Sequence, residues 1–157
     1  MSGTSDGSAD HMETVSYHTV TPYLMVEGVP TLIEWLAAAF GASEVGRLMR
    51  PDGSLMHAEV LIGDSPVMLG EPMGEFRAMP ASIYLRVDDC DATYARALGA
   101  GGVSAMEVMT MAHAGERYGG VIDPSGNIWW VASHVEDVSW SEQQRRIDSV
   151  AAQEFGE

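Results

Sequence analysis

The sequence predicts an α+β fold made of two copies of one βαβββ unit and closed by a C-terminal helix. Thr21-Pro-Tyr-Leu-Met-Val26 and Ser82-Ile-Tyr-Leu-Arg-Val87 lie sixty-one residues apart, each an extended segment followed by an acidic turn and a short helix ending in Gly. Ser139-Trp-Ser-Glu142 has the spacing of a capping box ahead of Gln143 to Phe155, which marks a last helix. Two copies of one unit define a pseudo-symmetric cleft, where a ligand site is expected.

The elements follow in order. Val20 to Glu27 alternates around Pro22, Leu24 and Val26 and predicts a strand. Thr31 to Phe40 places Leu32, Trp35, Leu36, Ala39 and Phe40 at helical spacing, with Gly41 as the stop. Strands follow over Glu44 to Met49, Leu55 to Ile62 and Pro66 to Gly70, separated by the turns Pro51-Asp-Gly-Ser54 and Gly63-Asp64. Glu71 to Pro80 is the linker. The second unit repeats the order with a strand over Ala81 to Val87, a helix over Asp91 to Leu98 stopped by Gly99, and strands around Val103 to Thr110, Gly115 to Ile122 and Asn127 to Ser133. The turn Asp123-Pro-Ser-Gly126 joins the last two. Ile147, Val150, Ala151 and Phe155 give the closing helix one apolar stripe, expected to dock on this domain or on a twin subunit. The domain expectation is a disordered tail over 1–15, one domain over 16–138 with modules 17–72 and 81–136, and the helix over 139–157.

Composition narrows the function classes. All 157 residues fit one domain with a sizeable core, and no apolar run approaches the roughly 18 residues of a membrane span. The net charge of -15 comes from 23 acids against 8 bases, all Arg. Without Lys there is neither Schiff-base chemistry nor a P-loop. So acidic a surface repels nucleic acid and anionic membrane and favours cationic partners. The single Cys, Cys90, excludes an internal disulfide and a thiolate metal cluster. The polar, acidic first thirteen residues lack the basic and apolar regions of a signal peptide, so the expected compartment is the cytoplasm.

Strand alternation selects the candidate residues. On Leu55 to Ile62 the apolar set Met56, Ala58, Val60 and Ile62 is expected to face the helix, which turns His57, Glu59 and Leu61 to the cleft. An imidazole and a carboxylate at i and i+2 are a structural or dimer-contact pair, a polar substrate contact, or a catalytic acid/base pair. The same alternation sends Thr21, Tyr23 and Met25, and in the second copy Ser82, Tyr84 and Arg86, to the cleft. One of Trp129 and Trp130 must join them. The methionines, eleven in all, supply an adaptable wall suited to a flat aromatic or polycyclic ligand.

Val26-Glu-Gly-Val-Pro-Thr-Leu-Ile-Glu-Trp-Leu-Ala-Ala-Ala-Phe-Gly41, His57-Ala-Glu-Val-Leu-Ile-Gly-Asp64, Asp123-Pro-Ser-Gly-Asn127 and His134-Val-Glu-Asp-Val-Ser139 together resemble the vicinal oxygen chelate superfamily. This is the group of glyoxalase I, bleomycin-resistance proteins and extradiol dioxygenases, and the resemblance is to its small PhnB-like branch. It covers roughly Thr19 to Arg146 and implies paired βαβββ modules in a cup-shaped mixed sheet, usually in a homodimer. Metal-dependent members carry His, Gln or Glu at positions that fall here on Thr21, Met68, Ser82 and Trp130. None of these is a usual ligand for a divalent metal, so no metal and no cofactor are expected. A set rebuilt from His57, Glu59 and Glu71 would serve a lyase or dioxygenase. The expected function is metal-independent binding of a small molecule, a planar or cationic aromatic natural product, in the cleft between modules. The ligand-binding set is Thr21, Tyr23, Met25, Met68, Ser82, Tyr84, Arg86 and Trp130. The alternative is an isomerase or cyclase using His57 and Glu59 as acid and base.

Overall fold

A computed structural model describes residues 15–155, and the expected N-terminal tail lies outside them except for Val15. Two modules of identical topology follow one another. In the first, β1 (Tyr23–Met25), α1 (Val29–Phe40), β2 (Ser43–Met49), β3 (Leu55–Ile62) and β4 (Ser65–Gly70) form a sheet of order β1-β4-β3-β2. In the second, β5 (Ser82–Arg86), α2 (Cys90–Gly99), β6 (Val103–Met111), β7 (Glu116–Ile122) and β8 (Ile128–His134) form a sheet of order β5-β8-β7-β6. The chain closes with α3 (Trp140–Phe155). In each module the first and last strands pair in parallel and the rest antiparallel, so both sheets are mixed. The α+β duplication read from the sequence is the fold.

Local chemistry explains the helix ends. Pro30 sits in the first turn of α1, where its missing N–H costs nothing. Gly41 ends the helix at φ 67°, a left-handed conformation that a side chain disfavours, and its N–H returns to the carbonyl of Ala37. Asp89 caps α2 by accepting the N–H of Ala92, and Ser139 accepts that of Glu142 at the start of α3.

The helix sides of both sheets feed one core. Leu24, Val26, Leu32, Leu36, Val60 and Leu69 of the first module are buried together with Val121, Trp129 and Val131 of the second. Burying each such aliphatic side chain stabilises the fold by about 1.5–3 kcal/mol. α1 reaches across the seam: Trp35 Nε1 donates to the Ala97 carbonyl of α2 at 3.2 Å, and the Phe40 ring lies 5.1 Å from that of Trp129. Each open sheet face therefore looks away from a shared interior.

Two expectations are corrected. Met56 was expected against the helix but is 41% exposed, and Leu55 is buried in its place. The cause is a register shift, since Leu48 pairs with His57 while Met49 pairs with Leu55, which flips the strand's parity at that point. The stripe on α3 does not dock on its own domain, because Ile147 and Val150 remain exposed. Arg146 anchors the helix instead, bonding Glu136 and the Ala112 carbonyl. Arg145 and Arg146 hold the Glu142 carboxyl down to about 2. No helix among the described residues is long and apolar enough to cross a membrane.

Candidate functional site

Within one chain the candidate residues fall on two faces. On the open face of the first sheet, Tyr23 pairs with Met68, and the Tyr23 ring meets His57 edge-on at 5.6 Å. His57 Nε2 lies 3.1 Å from Glu59 Oε1, and the Tyr17 hydroxyl donates to the other oxygen of Glu59. Glu59 is pulled below the usual carboxylate range, first by the Tyr17 hydrogen bond and then by His57. A Cβ at Gly70 would stand 2.6 Å from the Tyr23 hydroxyl, so a side chain there would displace that exposed ring. Met25 is half-buried, and Thr21, just before β1, donates to the carbonyl of His18.

The second open face is richer in aromatic surface. Tyr84 and Trp130 pair across β5 and β8. The Tyr118 ring stands 6.3 Å from Tyr84 and 6.1 Å from Trp130, both near edge-to-face. Trp130 Nε1 donates to Ser82 Oγ at 2.9 Å. Beside these rings Glu116, its side chain only 13% exposed, accepts from Arg86 at 2.8 Å and Tyr84 at 3.3 Å and faces His134 Nδ1 at 3.0 Å. His134 Nε2 lies 2.8 Å from Asp137. The hydrogen bond to Glu116, followed by that to Asp137, raises the His134 pKa above its ordinary value.

Tyr118, Glu116 and His134 were missed as site residues by sequence reasoning. The signal was present: counting outward from the Asp123–Gly126 turn pairs Ile122 with Ile128 and, six residues on, Glu116 with His134. Of the two adjacent tryptophans, Trp130 lines the open side, while Trp129 is 1% exposed and donates to Asp123 at 2.8 Å. Among the described residues, no hydrogen bond or aromatic contact joins Tyr23, Met25, Met68, His57 and Glu59 to Ser82, Tyr84, Arg86 and Trp130. Within one chain the candidate residues stand as two separate clusters.

The residues at the superfamily's metal positions do not fit a divalent ion. Met68 and Trp130 offer no hard donor, and the Ser82 hydroxyl is occupied by Trp130. Glu71 turns both carboxylate oxygens to the N–H groups of Gly28 and Val29 at the start of α1, away from His57. Among the described residues no three His, Cys, Asp or Glu side chains are gathered as a ligand set.

This fold is shared with solved structures of the glyoxalase/bleomycin resistance protein/dioxygenase superfamily. A superfamily member from Sphaerobacter thermophilus superposes with a TM-score of 0.62 at 18% identity, covering 76% of this chain and 98% of its own. TioX from Micromonospora sp. ML1 gives 0.61 at 19% identity over 78% of this chain and 100% of its own, and the Listeria monocytogenes fosfomycin resistance protein FosX gives 0.59 at 13% over 82% and 98%. By sequence the chain belongs to one family with Uncharacterized protein Rv0887c of Mycobacterium tuberculosis and Mb0911c of Mycobacterium bovis. It is 35% identical to each over 143 aligned residues, covering 83% of this chain and 82% and 92% of those proteins. No protein-family model matches it.

Proposed function

We propose that the protein is a small-molecule binding protein of bleomycin-resistance type that holds a planar, cationic aromatic ligand without a divalent metal. The observation that carries the reading is the wall of Tyr84, Tyr118 and Trp130 around the part-buried carboxylate of Glu116. Aromatic faces attract flat rings and cations, and Glu116, already paired with Arg86, holds the wall in place. The charge of -15 adds a long-range field that favours a cation.

The second wall is supplied by a twin subunit. The open face of the first sheet, with Tyr23, Met25, Met68 and His57, lies apart from the aromatic wall in one chain, so a homodimer joins the two half-sites between copies. The exposed stripe of α3 and Trp140, 87% exposed, supply further surface for that contact. The proposed site uses no cofactor, and the proposed location is the cytoplasm.

The test is a titration of intrinsic Trp fluorescence with a panel of cationic planar antibiotics, run beside light scattering. Saturable quenching by a dimer is expected, and no quenching across the panel would refute the reading. A second reading is favoured by the chain Tyr17–Glu59–His57: an isomerase or cyclase using Glu59 and His57 as base and acid. It predicts that His57→Ala abolishes turnover of a bound ligand while leaving its affinity within about threefold.

A further inference from the structure

We propose that a groove between the modules, on the helix side of the sheets and sharing only the β5 residues Tyr84 and Arg86 with the open face of the second sheet, binds an amphiphilic monoanion: an apolar chain or ring carrying one carboxylate. The groove encloses about 540 Å³, a volume within the range of small-molecule sites. One wall is the inner side of β5, with Ile83 and Leu85, continued by Val87 just after it, and facing it are Ile62, Pro66 and Val67. Phe40 and Trp129 also line it.

The groove exists because the duplication is uneven. Leu24 in β1 and Val26 just after it are 2% and 0% exposed, whereas Ile83 and Leu85 in β5 and Val87 just after it, at the same parity, stay only half-buried. The sixty-one-residue offset places Thr93, Arg96 and Ala97 of α2 where α1 has Leu32, Trp35 and Leu36. Three large apolar side chains have become two polar ones and a methyl. The missing volume opens beside β5, and apolar surface left there gains by being covered.

Charge selects the occupant. The lining contains two of the protein's 8 Arg, Arg86 and Arg96, with His18, but only one of its 23 acids, Asp64. Arg86 is committed to Glu116, and Asp64 Oδ1 accepts from its neighbour Ser65 at 2.8 Å while its backbone carbonyl lies 3.3 Å from His18 Nε2. Arg96 has only neutral acceptors: Nε donates to the Ala39 carbonyl at 3.4 Å and Nη2 to Thr93 at 3.1 Å. Among the described residues it makes no ion pair. Arg96 is exposed at the groove's rim, so a carboxylate would gain a charged partner there, a cation would be repelled, and a neutral chain would gain only its apolar contacts.

The experiment is calorimetric titration of the full chain with octanoate, octanol and octylammonium at physiological ionic strength, which screens the long-range field of the -15 charge. It is repeated on Leu85→Trp, which fills the groove, on Arg96→Gln, and on Trp130→Ala, which alters only the open face. Octanoate is expected to bind about tenfold or more tightly than the other two, to weaken by about tenfold in Leu85→Trp and in Arg96→Gln, and to be unaffected by Trp130→Ala. Arg96→Gln keeps the proposal testable if Leu85→Trp folds poorly. Equal affinity for the three head groups, octanoate binding insensitive to both groove variants, or a change of oligomeric state in Leu85→Trp with octanoate binding intact, which would make a second copy the occupant, would each overturn it.

Discussion

The two modules share topology and pairing, yet the first concentrates its large side chains inside while the second keeps them on its open face. α1 buries Leu32, Trp35 and Leu36, and the sheet beneath it shows Tyr23, Met68 and an imidazole–carboxylate pair outward. α2 buries only Cys90, Thr93 and Ala97, and its sheet shows Tyr84, Tyr118 and Trp130. The turns differ in the same sense. Asp64 is exposed, while Asp123 is buried and accepts from the N–H groups of Ser125 and Asn127, the Asn127 amide and the Trp129 indole. The first module supplies most of the shared core, and the second carries the larger aromatic cluster on its open face. Duplication thus frees one half to specialise.

The sharpest way to break this comparison is at the turns. Asp123→Ala should cost about 3–5 kcal/mol in chemical denaturation, because it strands several buried donors, whereas Asp64→Ala should stay within about 0.5 kcal/mol. Equal losses would remove the asymmetry. A smaller contrast is expected between Gly115 and Gly53, which occupy matching hairpin turns. Both have positive φ, at 66° and 84°, but a Cβ at Gly115 would stand 2.1 Å from the Glu136 carbonyl oxygen while Gly53 has open space. Gly53→Ala should cost about 1 kcal/mol of strain and Gly115→Ala about 3 kcal/mol or more, read as thermal unfolding midpoints.

The faces should also respond to pH in opposite directions, though weakly. Glu59 has a lowered pKa, so the stability from the Tyr17 and His57 contacts is present above the ordinary Glu value near 4.5 and is lost as pH falls through the folded value. Tyr17→Phe should therefore differ from the parent at pH 7 and converge with it in acid. His134 has a raised pKa, so its contribution is present below 6.5 and disappears as pH rises through the folded value. His134→Gln should differ from the parent at pH 5.5 and converge at pH 9, and an NMR titration of His134 should show a midpoint above 6.5.

Most of the fold was legible because its signals are local. Period-two strands, the glycine stop at Gly41 and the capping box at Ser139 each act within a few residues, and the repeat gave the strand and helix signals of the modules twice, whereas the expected stop Gly99 is the last residue of α2 and Ala100 caps it. What was not legible depends on partners. The parity of Met56 is decided by a shift in pairing with β2, which the strand's own alternation does not show. The division of the candidate residues between two faces follows from α1 crossing to Ala97 and Trp129, a tertiary choice absent from either module's pattern. Glu116 and His134 lie eighteen residues apart and meet only through the β7–β8 register. The groove beside β5 was hidden because it arises from side chains that α2 lacks.

The central claim is that ligand recognition rests on the aromatic face of the second sheet. It is tested most directly by calorimetric affinities of the parent, Trp130→Ala and Met68→Ala for whichever cationic aromatic compound quenches the protein. The account predicts a loss of about thirtyfold or more for Trp130→Ala, about threefold for Met68→Ala, and little change in thermal midpoint for either. Equal losses in the two variants, or an affinity untouched by Trp130→Ala, would contradict it.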